Sequence, residues 1–190
     1  MSVKKPLIVA ATGASGFPLL EDCLRCLRAD GRYHVCLILS ENARRTIPYE
    51  LDQAVEDLEA LADEVLSSSD IAAGPASGTY RTAGMLIVPC SMKTAAGIIT
   101  GYTDNLILRA ADVTIKEQRP LVLAVRETPL SRIHLRNLYE LSGIPGVHVI
   151  PPMMSFYNKP SSIDSLVRHI SGKLLEPFGV EVEDFKRWKE

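Results

Sequence analysis

The run Leu-Ile-Val-Ala-Ala-Thr-Gly-Ala-Ser-Gly over residues 7–16 constrains this chain more than any other segment. Its apolar half does not alternate, so both faces can be buried, as in a strand of a parallel sheet. The small residues that follow turn the chain into a stretch with helical spacing. A strand that turns through glycine into a helix leaves backbone N–H groups and the positive end of the helix dipole facing one spot, which suits a phosphate. Gly13 and Gly16 permit close backbone approach, and Thr12 and Ser15 bring hydroxyl donors. The spacing is neither Gly-x-Gly-x-x-Gly nor a loop ending in Gly-Lys-Ser/Thr, which argues against a standard dinucleotide site and against ATP hydrolysis. A glycine turn that only packs helix on strand is the alternative this segment leaves open.

Strand-length apolar runs recur at 7–11, 34–39, 85–88, 121–125 and 147–150, and helical spacing at 16–29, 43–46, 51–66, 93–99, 105–116, 131–141 and 162–175. This βαβ alternation predicts one α/β domain over residues 1–190, with a parallel sheet covered by helices on both faces. Ligands then belong at the strand C-termini. The unusual polar residues fall there: Thr12 to Ser15, Ser40 to Asn42, Ser91 to Thr94, Arg126 to Thr128, and the segment after Pro151-Pro152. The Gly- and Ser-rich stretch 67–79 reads as a loop or lid.

The formal charge of -2 is spread along the chain without a basic cluster, so nothing supports nucleic-acid binding. Cys23 and Cys26 form a Cys-x-x-Cys pair, but they sit within an amphipathic helical pattern. Neither they nor Cys36 and Cys90 are followed by a second ligand pair at zinc spacing, so no metal site is expected. His34, His134, His148 and His169 lack serines or carboxylates at triad-like positions, and no histidine base is expected. No apolar run approaches the roughly 20 residues of a membrane span. Met-Ser-Val-Lys-Lys-Pro enters the first strand without a signal-like apolar region, so the expected location is cytoplasmic.

Pro-Cys-Ser-Met-Lys-Thr at 89–94 repeats the logic of the first loop, a strand end followed by hydroxyls and helix amides; an N-capping serine is the plainer alternative. Lys116 closes a helix and Arg126 ends a strand, so both are expected to point into one cleft and to bind phosphate. Glu117 and Arg119 read as solvated surface, and Glu50 has no evident partner within the chain. Tyr157, in a proline-fixed turn, either presents its hydroxyl or simply packs.

Six motifs in order carry a resemblance to the UbiX family of flavin prenyltransferases, formerly described as aromatic-acid decarboxylases and including phenolic acid decarboxylase B subunits. They are Thr-Gly-Ala-Ser-Gly at 12–16, Pro-Cys-Ser-Met-Lys-Thr at 89–94, Arg-Ala-Ala-Asp-Val at 109–113, Lys-Glu-x-Arg-Pro-Leu-Val-Leu at 116–123, Arg-Glu-Thr-Pro-Leu at 126–130 and Phe-Tyr-Asn-Lys-Pro at 156–160. The resemblance implies a flavodoxin- or Rossmann-like three-layer sandwich and a homododecamer built from trimers. It implies a metal-free reaction joining a dimethylallyl group from dimethylallyl monophosphate to FMN at N5 and C6. The prenylated FMN then serves a UbiD-type decarboxylase. On this resemblance the FMN contacts fall on Gly13, Ala14, Ser15, Ser40, Ser91, Met92, Lys93, Thr94 and Arg126. Prenyl-phosphate contacts fall on Lys116, Glu127, Tyr157 and Lys173, with Arg109 and Glu50 completing a site shared between subunits. Ser15, Glu50, Lys116 and Glu127 are the implied catalytic groups, Ser15 and Glu50 relaying protons, and Trp188 walls the prenyl pocket.

Two positions depart from the family pattern. Lys173 stands where the family carries Arg, which keeps the charge and loses bidentate geometry. Phe17-Pro18 follows Gly16 in place of small residues and is expected to reshape the flavin side of the first helix. A thiol-oxidising decarboxylase of the same broad fold is disfavoured, because no histidine lies between His34 and His134 and the second loop reads Pro-Cys-Ser-Met-Lys-Thr. A non-catalytic FMN-binding subunit or carrier is the remaining alternative.

Overall fold

The computed structural model describes residues 4–189; residues 1–3 and 190, which belong to the expected domain and its N-terminal reading, lie outside them. Six parallel strands run in the order β3-β2-β1-β4-β5-β6: β1 Lys5–Ala11, β2 Tyr33–Leu39, β3 Glu64–Ser67, β4 Met85–Cys90, β5 Leu121–Val125 and β6 Val147–Val149. Helices α1 Phe17–Asp30 and α7 Ile163–Leu175 cover one face, with the short α2 Glu41–Thr46 and α3 Val55–Glu59 beside them. Helices α4 Met92–Ile99, α5 Leu106–Lys116 and α6 Arg132–Ser142 cover the other. This is a flavodoxin-like three-layer α/β sandwich.

Strand β1 shows why both faces need helices. Leu7, Val9 and Ala11 enter the core under α1 and α7, whereas Ile8 and Ala10 enter the core under α4 and α5. Alternating side chains on one buried strand therefore feed two separate cores, which explains an apolar run without alternation. The helices begin at polar caps that the sequence supplies. Ser91 accepts from Thr94 N, Asn105 from Leu108 N, Ser131 from His134 N and Ser162 from Ser165 N.

The expected helix over 51–66 is corrected. Its spacing is helical, but α3 ends at Glu59 and residues 64–67 form the edge strand β3. Asp63 decides the outcome: its carboxylate accepts from Val35 N at 2.8 Å and its own N–H donates to Val35 O at 3.1 Å, which seats the following residues against Cys36–Leu39. A short, largely exposed edge strand carries little apolar signal.

Phe17 also departs from expectation. It is fully buried in the core under α1 with Leu20 and Ile47, and Pro18 occupies the first turn where its missing N–H costs nothing. The bulk of Phe17 therefore packs into the core. Phe17→Ala is expected to lower unfolding free energy by roughly 3–5 kcal/mol in denaturant titrations, and a change below about 1 kcal/mol would contradict this packing.

Candidate functional site

Where β1 and β4 lie side by side the strand order reverses, and a crevice opens beyond their C-terminal ends. Thr12, 4% exposed, joins the two tips. Its N–H and hydroxyl both donate to Pro89 O, at 3.0 and 3.2 Å, and its Oγ1 accepts from Ser91 N at 2.8 Å. The hydroxyl is thus committed within the protein, which corrects its expected role as a phosphate donor. The clamp places the Gly13 loop beside the N-terminus of α4.

The cleft between them is lined by Thr12, Gly13, Ser40, Asn42, Ser91, Lys93, Thr94 and Asn105, with no carboxylate among its lining residues. Its volume of about 60 Å³ fits a phosphate-sized group and falls below the roughly 300–1,000 Å³ of a whole-ligand pocket. Lys93 is exposed and forms no ion pair among the described residues. Hydroxyls, helix amides and one lysine form a donor set suited to the FMN phosphate. Gly13 is required by space: a Cβ there would lie 2.7 Å from Asn42 Cβ. Met92, at the first position of α4, is largely buried in the core on that face of the sheet.

Glu50 sits at the start of α1. Its Oε2 accepts from Gly16 N at 2.8 Å and Phe17 N at 2.9 Å, so a side chain without an evident partner in the sequence is the cap of a helix 34 residues away. The α1 N-terminus is consequently occupied by a carboxylate, which disfavours a phosphate there and leaves the α4 N-terminus as the candidate phosphate site. Ser15, next to Gly16, is exposed, and Ala14 is half-buried with its N–H turned back to Thr12 O. Glu50 is thus bonded to the residue that follows Ser15, and neither Ser15 nor Glu50 is among the residues lining the cleft.

Further along the same edge, Arg126 and Glu127 follow β5; both are exposed, and Glu127 accepts from Thr128 N. Beyond β6 a second cavity of about 380 Å³ brings together Tyr157, His169, Lys173, Glu176, Arg187 and Trp188. Lys173 pairs with Glu176, which also faces Arg187 at 3.8 Å. Tyr157 meets Trp188 edge to face, with ring centroids 5.1 Å apart. Tyr157, Lys173 and Trp188 are therefore gathered as expected. His169, 3.3 Å from the Tyr157 hydroxyl, was not expected there. Its helical spacing from Lys173, one turn on, was the signal available.

The expectation that Lys116 and Arg126 share a cleft within one chain is overturned. Helix α5 starts beside Ser68, at the strand C-termini, and Lys116 ends it at the opposite edge, where Met85 N donates to Pro120 O. Lys116 pairs with Glu117, and Arg109 with Asp112 and Ala76 O. Both lie on the α4/α5 face, away from the Tyr157 cavity flanked by α7. Arg119 is no surface residue either: it donates to Gly78 O and Tyr80 O.

The cysteines behave as small hydrophobes. All four are unpaired and buried, and burial pushes the Cys90 thiol up to about 12 and those of Cys26 and Cys36 to about 11. Cys36, His34 and Glu64 approach one another on β2 and β3, a hydrogen-bonded cluster joined by Tyr80.

The Flavoprotein family pattern matches residues 1–175. A probable UbiX-like flavin prenyltransferase of Sedimentibacter hydroxybenzoicus is 45% identical over 183 residues, covering 96% of each chain. This chain belongs to the UbiX-like flavin prenyltransferase family. A crystal structure of the UbiX relative AnUbiX (PadA1), in complex with FMN and dimethylallyl pyrophosphate, superposes with a TM-score of 0.95 at 44% identity over 99% of both chains. A dodecameric, FMN-dependent UbiX-like decarboxylase from Escherichia coli O157:H7 gives a TM-score of 0.94 at 46% identity, over 97% of this chain and 100% of that one.

In this UbiX-like protein Thr12→Val removes the acceptor for Ser91 N while keeping the side chain's shape. The expected result is a loss of about 1–3 kcal/mol in unfolding free energy together with weaker FMN binding in a flavin fluorescence titration. Unchanged affinity would contradict the clamp.

Proposed function

We propose that this protein is a flavin prenyltransferase that joins the dimethylallyl group of dimethylallyl monophosphate to N5 and C6 of reduced FMN and supplies the prenylated FMN to a UbiD-type aromatic acid decarboxylase. The observation that carries this reading is the presence, along one sheet edge, of a carboxylate-free phosphate cleft and a second cavity combining Lys173 with the Tyr157 and Trp188 rings. AnUbiX, at 44% identity, was crystallised with both FMN and an allylic diphosphate.

FMN, when bound and reduced, supplies the nucleophilic N5 and C6 centres. In the proposed roles Ser40, Ser91, Lys93 and Thr94 hold its phosphate, and Gly13, Ala14, Ser15, Met92 and Arg126 complete its contacts. Breaking the donor's allylic carbon–oxygen bond spreads positive charge over the allyl group and leaves negative charge on phosphate. Lys116, Lys173, Arg109 and the Tyr157 hydroxyl stabilise that phosphate, and the Tyr157 and Trp188 faces shelter the cation. When phosphate takes Lys173, Glu176 retains Arg187 as its counter-ion. Glu127 completes the phosphate side. Glu50, held by the amides of Gly16 and Phe17, is assigned with Ser15 to moving protons around the flavin N5 and C6.

Because Lys116 and Arg109 lie on another face from Tyr157, we assign them to the site of a neighbouring copy, within a homododecamer like the E. coli O157:H7 relative. The whole of residues 1–190 is assigned to one flavoprotein unit. No helix among the described residues is long and apolar enough to cross a membrane. Four free thiols suit a reducing compartment, and the proposed location is the cytoplasm.

Lys116→Ala and Tyr157→Ala are each expected to retain FMN and lose prenylation. Co-expressed in mixed assemblies they should regain activity at roughly a quarter of wild-type sites, because random pairing restores both residues at some interfaces. Persistent inactivity of the mixture would contradict the shared site, and full prenylation by each variant alone would show that neither residue serves the reaction.

A further inference from the structure

His169, in the middle of α7, is 7% exposed and lies between two rings of the second cavity. Its Nε2 is 3.3 Å from the Tyr157 hydroxyl, with the two rings edge to face at 5.5 Å. Phe185 covers its other side at 5.0 Å. Its Nδ1 is buried and has no hydrogen-bond partner among the described residues. Burial holds the imidazole below its ordinary pKa, so the ring is neutral near pH 7 and carries one N–H.

Where that proton sits follows from the two nitrogens. A proton on Nδ1 would be a buried donor without an acceptor, a costly and uncommon arrangement. A proton on Nε2 has the Tyr157 oxygen in reach and leaves only an unprotonated nitrogen unpartnered, the less costly outcome. If Nε2–H donates to the Tyr157 oxygen, the hydroxyl's own proton is free to point elsewhere. Tyr157 lines the cavity together with Lys173 and Arg187, two cations that Glu176 pairs and that an incoming anion can engage.

We infer that His169 is a positioning residue: its Nε2–H fixes the Tyr157 hydroxyl as a donor aimed into the cavity, toward the phosphate of the allylic donor. This rests on the reading of that cavity as the donor site. The hydroxyl is then oriented before the leaving phosphate gains charge, and no reorientation is needed during the reaction.

Two measurements test it. Solid-state NMR of 15N-histidine-labelled wild-type protein, with the His169 signal assigned by its loss in His169→Phe, should show Nε2 protonated and Nδ1 bare at pH 7; Nδ1 protonation overturns the inference. In steady-state prenylation, His169→Phe should lower kcat/KM for dimethylallyl monophosphate roughly three- to tenfold. It should add no further loss in a Tyr157→Phe background, and His169→Gln, which keeps a donor, should recover part of the rate. Independent, additive losses overturn the inference. The tautomer is read without turnover, so a wild type with bare Nδ1 that forms no prenylated flavin overturns the functional reading and, with it, only the role given to the Tyr157 proton.

Discussion

The three hydrogen bonds of Thr12 hold the site together. Parallel strands do not bring their following loops into contact on their own, because each loop leaves for a different helix. By bonding Pro89 O twice and accepting from Ser91 N, Thr12 fixes the β1 loop against the start of α4. The amides and hydroxyls of α4 then converge with Ser40 on one cleft. Pro89 has no N–H to pair in the sheet, so its carbonyl is a natural anchor for a side chain crossing from the next strand.

Charge is divided unequally between the two cavities along this edge. The first cleft has one free lysine and no acid, an arrangement for a group that stays bound. In the second cavity Glu176 is shared between Lys173 and Arg187, an arrangement in which a cation can exchange one anionic partner for another. Glu50 stands apart from both, neutralising the α1 amides.

Much of this was legible in the sequence because local rules agree with the fold. Unbroken apolar runs marked the central strands, and Ser91, Asn105, Ser131 and Ser162 stood at helix starts where their side chains do cap. What escaped depends on contacts between distant segments. Asp63 makes an edge strand where apolar spacing suggests a helix, and Glu50 finds its partners at Gly16 and Phe17. His169 looks like an ordinary helical residue until the 156–160 turn and the C-terminal tail fold onto it. Lys116 failed for a different reason. Its place at the far end of α5, away from the Tyr157 cavity of the same chain, follows from helix direction.

The central claim is that this protein builds a carbon framework onto flavin. Mass spectrometry of the flavin released after anaerobic incubation of the wild-type protein with reduced FMN and dimethylallyl monophosphate tests it most directly. The account predicts a flavin heavier than FMN by one five-carbon prenyl unit. Recovery of unmodified FMN alone, with the pyrophosphate donor also inactive, would contradict it.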